Sequence, residues 1–273
     1  MTKCIGCQDC LNACPKKVIT WVQGKPHIDR EKCDMCLSCV QACPSQALAV
    51  IGCDWTLDQI TTEVLKDKEY FNTFKGGLTV SGGEPLCQAP FLTALFKRMK
   101  QEGIHTALDT CGFVDSKALD AVLPYTDCIL YDLKLIDEKR HIQQTGQSNA
   151  RILENLLQIG DYIRQKRKTG EHRMTLWIRT PLIPGTTSDE SNLLGIGEFI
   201  LTHLHDVVER WELCAFNNIC TSKYSKMGKD WFYKNENLLK KIETDDIRHT
   251  LIASGISSDM LVVTGLVSGT GSD

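Results

Sequence analysis

Four cysteines and a proline, Cys4, Cys7, Cys10, Cys14 and Pro15, recur 29 residues later as Cys33, Cys36, Cys39, Cys43 and Pro44. No other feature of the 273-residue chain restricts its fold as strongly. Each half reads C-x2-C-x2-C-x3-C-P, and Ala13 repeats as Ala42 while Val18-Ile19 repeats as Ala47-Leu48, so thiols and packing residues recur together. Three thiolates spaced by two residues wrap one face of a cuboidal [4Fe-4S] cluster, and the fourth, three residues on, points the other way. The fourth ligand is therefore exchanged between halves. This predicts one cluster on Cys4, Cys7, Cys10 and Cys43 and a second on Cys33, Cys36, Cys39 and Cys14. Zinc usually takes its ligands as two separated pairs, which this run does not offer.

The run resembles that of two-cluster bacterial ferredoxins. Val18 to Trp21 and Lys25 to Ile28, around Gln23-Gly24, read as a short hairpin, and a unit with so little apolar mass depends on its clusters to fold. Eight of the 14 cysteines fall between Cys4 and Cys43; the other six, Cys53, Cys87, Cys111, Cys128, Cys214 and Cys220, have no ligand spacing and read as small hydrophobes. Two domains follow, residues 1–52 with the clusters and residues 53–273. With 31 Lys+Arg against 34 Asp+Glu, the net charge of −3 excludes a broad basic field for nucleic acid. The longest apolar stretch, Ala47 to Ile51, falls far short of the ~20 residues that span a bilayer, so no membrane partner is expected. Cys4 to Pro15 occupies the place of a signal peptide's apolar region. Many cysteines without a secretion signal point to a reducing, cytoplasmic compartment.

Downstream of Trp55, helical patterns alternate with short β-branched runs, which predicts βα units around a parallel sheet. Strands are expected at Leu78–Ser81, His105–Asp109, Cys128–Leu133, Met174–Arg179 and Val208–Cys214, with a last run at Met260–Val263. Helices are expected at Leu57–Lys66, Pro90–Glu102, Ser116–Leu123, Ala150–Lys166, Ser188–His203 and Asp246–Ser254. Functional residues of such sheets gather at the carboxyl ends of the strands. Here those ends carry Gly82-Gly83-Glu84, Asp109-Thr110-Cys111-Gly112, Asp132-Leu133-Lys134, Arg179-Thr180-Pro181 and Asn217-Asn218, a pattern that one shared ligand site explains. Adjacent glycines admit close approach of a ligand to backbone, Arg179 offers a fork to a carboxylate, and Asp109 and Asp132 suit a cation or hydroxyls.

Taken in order, Gly76-Gly77-Leu78-Thr79-Val80-Ser81-Gly82-Gly83-Glu84-Pro85-Leu86, Leu108-Asp109-Thr110-Cys111-Gly112-Phe113, Tyr131-Asp132-Leu133-Lys134 and Ile178-Arg179-Thr180-Pro181-Leu182-Ile183-Pro184-Gly185 resemble one family. It is the glycyl-radical enzyme activating enzymes, those of pyruvate formate-lyase among them, within the radical S-adenosylmethionine superfamily. The resemblance implies a partial (βα)6 barrel behind a ferredoxin-like domain, and S-adenosylmethionine bound through an iron that lacks a cysteine ligand. It also implies oxygen-sensitive, anaerobic chemistry in which a 5′-deoxyadenosyl radical takes a hydrogen from a glycine of a partner glycyl-radical enzyme, with flavodoxin or ferredoxin as electron donor. By position it places Gly82, Gly83 and Glu84 at the methionine amino group and Asp132, Lys134 and Arg179 towards the cofactor. Asn217 stands where the pattern has histidine, and Asp109, Thr110 and Asp132 match a cation site.

The superfamily's C-x3-C-x2-C does not occur: Cys10 and Cys14 begin it, but Lys17 follows, and Cys39 and Cys43 begin it, but Gln46 follows. The expectation is an N-terminally truncated chain without the first barrel strand and without the catalytic cysteines. A third [4Fe-4S] cluster and cleavage of S-adenosylmethionine then belong to the complete protein. The alternative function is a non-catalytic iron-sulfur electron-transfer or regulatory subunit.

Overall fold

The structure is a computed structural model that describes residues 3–50, 52–170, 174–226 and 229–269. The chain divides into two compact units, Met1–Thr56 with Lys223–Lys229, and Leu57–Ser222 with Asp230–Asp273. The division thus falls after Thr56 rather than after residue 52, because the stretch following the last clustered cysteine carries neither thiol spacing nor periodicity that would mark it.

In the N-terminal unit the duplication is written into the backbone. Left-handed residues recur at the repeat distance: Gly6 (φ 78°) with Met35 (φ 56°), Gln8 (φ 64°) with Leu37 (φ 63°), and Lys17 (φ 51°) with Gln46 (φ 53°). Gln8 and Leu37 each open a single helical turn, α1 (Asp9–Ala13) and α2 (Ser38–Gln41). The expected hairpin forms from β1 (Ile19–Val22) and β2 (Lys25–Ile28), antiparallel, with Val22 opposite Lys25 across the Gln23-Gly24 turn. Its small core is Cys10, Ile19 and Leu48, the last two being repeat equivalents.

The larger unit is α/β, built on a sheet of six parallel strands in sequence order. They are β3 (Gly77–Val80), β4 (His105–Thr110), β5 (Cys128–Asp132), β6 (Thr175–Leu182), β7 (Val208–Ala215) and β8 (Leu261–Thr264). Strict alternation separates the faces. Leu176, Ile178, Thr180 and Leu182 of β6 are buried, while Thr175, Trp177, Arg179 and Pro181 are half-exposed. The buried face, with Leu108, Ile129, Tyr131, Ile178, Trp211 and Leu213, packs under α5 (Ala89–Gln101), α6 (Ser116–Val122), α8 (Ala150–Thr169), α9 (Glu190–His203) and α11 (Lys241–Ala253). At ~25 cal/mol per Å2 this single core supplies most of the unit's stabilisation. A satellite cluster around Leu95, Met99 and Ile104 takes in Leu57, Ile60 and Val64 of α3 (Leu57–Leu65).

Strand boundaries differ from expectation in one consequential place. β6 does not stop at Arg179 but runs on through Thr180 and Pro181 to Leu182, pairing with β7. β5 ends opposite Arg179, at Asp132. Pro181 therefore lies where one flank of β6 no longer has a ladder partner, and its missing N–H costs nothing there. Two short helices, α4 (Lys68–Phe74) and α7 (Glu138–Thr145), were not expected, and only His141 of α7 is buried, too little to set a periodicity. α10 (Thr221–Lys226) is a further short helix.

Candidate functional site

In the N-terminal unit, a surface hollow is lined by Cys4, Cys7, Cys10 and Cys43, with Trp21, Pro26 and Leu48 beside them. Burial raises the Cys10 thiol, and the thiols whose charge reaches it are Cys43 and Cys7. Burial likewise raises Cys39, and the thiols that act on it are Cys33, Cys14 and Cys36. Two crossed sets of four are thereby brought together. Among the described residues no three His, Cys, Asp or Glu side chains converge as they would on a single metal ion. The repeated C-x2-C-x2-C-x3-C spacing of these thiols fits [4Fe-4S] ligation and lacks the two separated ligand pairs usual for zinc.

In the larger unit, the half-exposed face of the sheet carries a row of charges. Asp132, Arg179 and Glu212 are register partners on β5, β6 and β7. Arg179 Nη1 donates to Asp109 Oδ2 at 2.9 Å, and its Nε lies 3.5 Å from Glu212 Oε2 without forming a hydrogen bond. Burial raises the Asp109 carboxyl, Arg179 pulls against that, and Asp132 adds to it. Burial opposes charge on Arg179 more than any single neighbour favours it, but Asp109, Cys214 and Asp132 together outweigh it and the guanidinium's pKa is raised. Lys134 Nζ donates to Asp132 Oδ2 at 2.8 Å. On the same face Arg210 sits 4.0 Å above the Trp177 ring.

Glu84 is not a free carboxylate. It accepts from Leu86 N (3.2 Å) and Thr110 Oγ1 (2.8 Å) on one oxygen, and from Cys111 N (3.0 Å) and Cys111 Sγ (3.2 Å) on the other. It ties the loop after β3 to the end of β4. What that loop offers a ligand is its backbone: Gly82 (φ +93°) and Gly83 (φ +25°) have open space where a side chain would stand. Thr110 is engaged with Glu84, so the expected trio Asp109, Thr110 and Asp132 does not stand as three free oxygen ligands, its acids being paired with Arg179 and Lys134. Asn217 Oδ1 accepts from Ile219 N at 3.2 Å, the geometry of a local turn.

Buried amides, which sequence reasoning missed, hold this rim. Asn192 accepts from Ile136 N (2.9 Å) and donates to Lys134 O (3.0 Å) and Thr187 O (2.9 Å). Asn155 donates to Gly112 O (2.7 Å) and Val114 O (2.9 Å). Their signal was available: an asparagine on the apolar stripe of a helix must find partners. Glu212 was missed too, although a carboxylate in phase with Arg210 along an apolar strand marks the open face. A further cleft is lined by Cys111, Phe113, Asp132, Lys134, His141 and Ile152.

Open backbone at paired glycines, a half-exposed guanidinium with a buried, unsatisfied Nε and flanking acids together fit an aminocarboxylate ligand with a cationic centre. A parallel α/β unit with such a rim, joined to a unit of eight repeated cysteines, defines an α/β protein of iron-sulfur type. Residues 3–47 match the 4Fe-4S dicluster domain family. The chain is 36% identical over 239 residues to the (2S)-3-sulfopropanediol dehydratase activating enzyme of Klebsiella oxytoca, covering 86% of this chain and 72% of that protein. It is 37% identical over 186 residues to the pyruvate formate-lyase-activating enzyme of Staphylococcus epidermidis, covering 66% of this chain and 69% of the relative. A domain of the pyruvate-formate lyase-activating enzyme from Bacteroides vulgatus superposes with a TM-score of 0.53 at 25% identity, over 70% of this chain and 99% of that one. The chain belongs to the glycyl-radical enzyme activating enzymes. No helix among the described residues is long and apolar enough to cross a membrane.

Proposed function

We propose that this chain serves the installation of a glycyl radical in a partner enzyme, holding S-adenosylmethionine on the charged face of its parallel sheet and two [4Fe-4S] clusters on its eight repeated cysteines. The observation that carries the reading is the convergence of Asp109, Asp132, Lys134 and Arg179 on one face of adjoining strands, next to the open backbone of Gly82 and Gly83. When bound and reduced by one electron, S-adenosylmethionine supplies the 5′-deoxyadenosyl radical that can take a hydrogen atom from a backbone glycine. The chain's residues bind and orient it. Arg179 and Lys134 meet the carboxylate, backbone carbonyls of the Gly82-Gly83 turn accept from the amino group, and Asp109 and Asp132 balance the positive charge. The eight repeated cysteines would hold the two clusters, which would supply the capacity to accept electrons from a donor such as flavodoxin or ferredoxin.

A second reading, an electron-transfer or regulatory subunit, is favoured by one observation: the sequence contains no C-x3-C-x2-C. Anaerobic equilibrium binding of S-adenosylmethionine to the reconstituted chain separates the two. Saturable binding supports the first reading, and a chimera carrying a relative's C-x3-C-x2-C segment should then raise the glycine-centred doublet in a glycyl-radical enzyme, seen by electron paramagnetic resonance. Absence of binding leaves the second.

A further inference from the structure

The two cysteine sets are related by the 29-residue repeat, yet the polar groups beside them are not. Ser45 Oγ lies 3.7 Å from the Cys43 sulfur, and Ser38 Oγ lies 3.5 Å from the Cys36 sulfur. Lys16 stands at the position equivalent to Ser45 and Asp9 at that equivalent to Ser38, so neither hydroxyl has a counterpart in the first half. Because the sets are crossed, Ser45 touches the set that lines the hollow with Trp21 and Leu48 while Ser38 touches the other. Each set therefore has one hydroxyl, on non-equivalent cysteines: half-buried Cys43 and exposed Cys36. A metal-bound thiolate has no proton to give, so with clusters in place both hydroxyls must donate.

We propose that Ser45 and Ser38 are potential-setting residues, one for each cluster, whose hydroxyls favour the reduced state by donating to a ligand sulfur. The inference rests on the two-cluster reading. One-electron reduction adds negative charge that is shared by iron and sulfur, and a donor to that sulfur gains strength as the charge grows. Ser45 lines its hollow together with Trp21 and Leu48, where the donor is screened less than Ser38 is beside exposed Cys36. Its effect is the larger of the two.

The test uses the full chain, reconstituted anaerobically, with iron counted and a potentiometric titration followed by electron paramagnetic resonance. Ser45→Ala should move one transition to more negative potential and leave the other in place. Ser38→Ala should move the other by a smaller shift, and Ser45→Thr and Ser38→Thr should restore the wild-type values. Unmoved potentials in both variants at about eight irons per chain overturn the proposal and leave the cluster reading standing, as does a single transition moved by both. Wild-type iron far below eight overturns the cluster reading itself, and the proposal with it. If an alanine variant does not hold its cluster, Ser45→Gly or Ser38→Gly takes its place in the same titration: a shift to more negative potential supports the proposal, and an unmoved potential overturns it.

Discussion

Arg179 on β6 reaches over β5 to Asp109 on β4, Nη1 to Oδ2 at 2.9 Å, although the two strands are not neighbours in the sheet. Glu212 on β7 flanks it from the other side at 3.5 Å. The guanidinium is thus fixed above the middle of the sheet by acids two strands apart on one side and one strand apart on the other. A long, flexible side chain held in this way loses its entropy on folding rather than on ligand binding, which is the condition for a strong contact to an incoming carboxylate.

Arg179→Ala should therefore weaken S-adenosylmethionine binding by roughly 1.5–3 kcal/mol, about ten- to a hundredfold, the range of a charge-assisted hydrogen bond. Arg179→Lys should not restore it, because one ammonium cannot face Asp109, Glu212 and a ligand together. Anaerobic calorimetry measures this, and wild-type affinity in the alanine variant removes Arg179 from the site.

Gly112 follows β4 at φ +68°, and a β-carbon there would stand 1.7 Å from the Tyr131 hydroxyl. That hydroxyl donates to Ile152 O at 2.6 Å and is fully buried, so it cannot retreat. Gly112→Ala should cost about 2–4 kcal/mol, from backbone strain and overpacking together. A melt within about 1 kcal/mol of wild type would mean that the loop and Tyr131 separate freely.

Much of this architecture was legible in the sequence, for physical reasons that also mark where legibility ended. Apolar runs such as Ile129–Tyr131 and Leu176–Ile178 announced strands because both flanks of each are paired and one face is sealed by helices. Glu212 escaped notice because Arg179 was read as the last residue of its strand; β6 runs on, and register then places Asp132 and Glu212 on either side of Arg179. Glu84 was assigned to a ligand on its motif, yet its oxygens are taken by Thr110 and Cys111, 26 and 27 residues away. Spacing carries local pattern, as in the duplicated left-handed turns of the cysteine repeat, and reads poorly what a side chain meets across the fold.

At the start of β5, Asp127 accepts from Lys100 Nζ (2.6 Å), Thr106 N (2.9 Å) and Thr106 Oγ1 (3.1 Å). Burial pushes its carboxyl up, but Lys100 and the Thr106 amide overcome this and hold it below the ordinary carboxylate value. A lowered carboxylate stabilises the fold above the unfolded-state value of about 3.9, and that contribution is lost as pH falls through the folded value. Asp127→Asn should destabilise the larger unit by about 1.5–3 kcal/mol near neutrality. Its deficit against wild type should then narrow as the pH is lowered below about 4. A deficit constant from neutral to acid pH in parallel melts would contradict the assignment.

Iron content tests the crossed ligand sets most directly. Eight repeated cysteines in two sets of four predict about eight irons per reconstituted chain, and a count near twelve would require a third ligand set that the sequence spacing does not provide. Cys7 and Cys36 are the exposed members of their sets, so their own burial contributes little to packing. Loss of stability on replacing either is therefore attributable to the cluster rather than to a cavity. Cys7→Ala should remove one cluster, Cys36→Ala the other, and each should lower the melting of the N-terminal unit, whose buried hydrophobic core among the described residues is Cys10, Ile19 and Leu48. The crossing itself is read from the fourth ligands. Cys43→Ala should abolish the same spectroscopic species as Cys7→Ala, and Cys14→Ala the same one as Cys36→Ala. If Cys14 pairs instead with Cys7 and Cys43 with Cys36, each half holds its own cluster, and the exchange of ligands between the repeats is wrong.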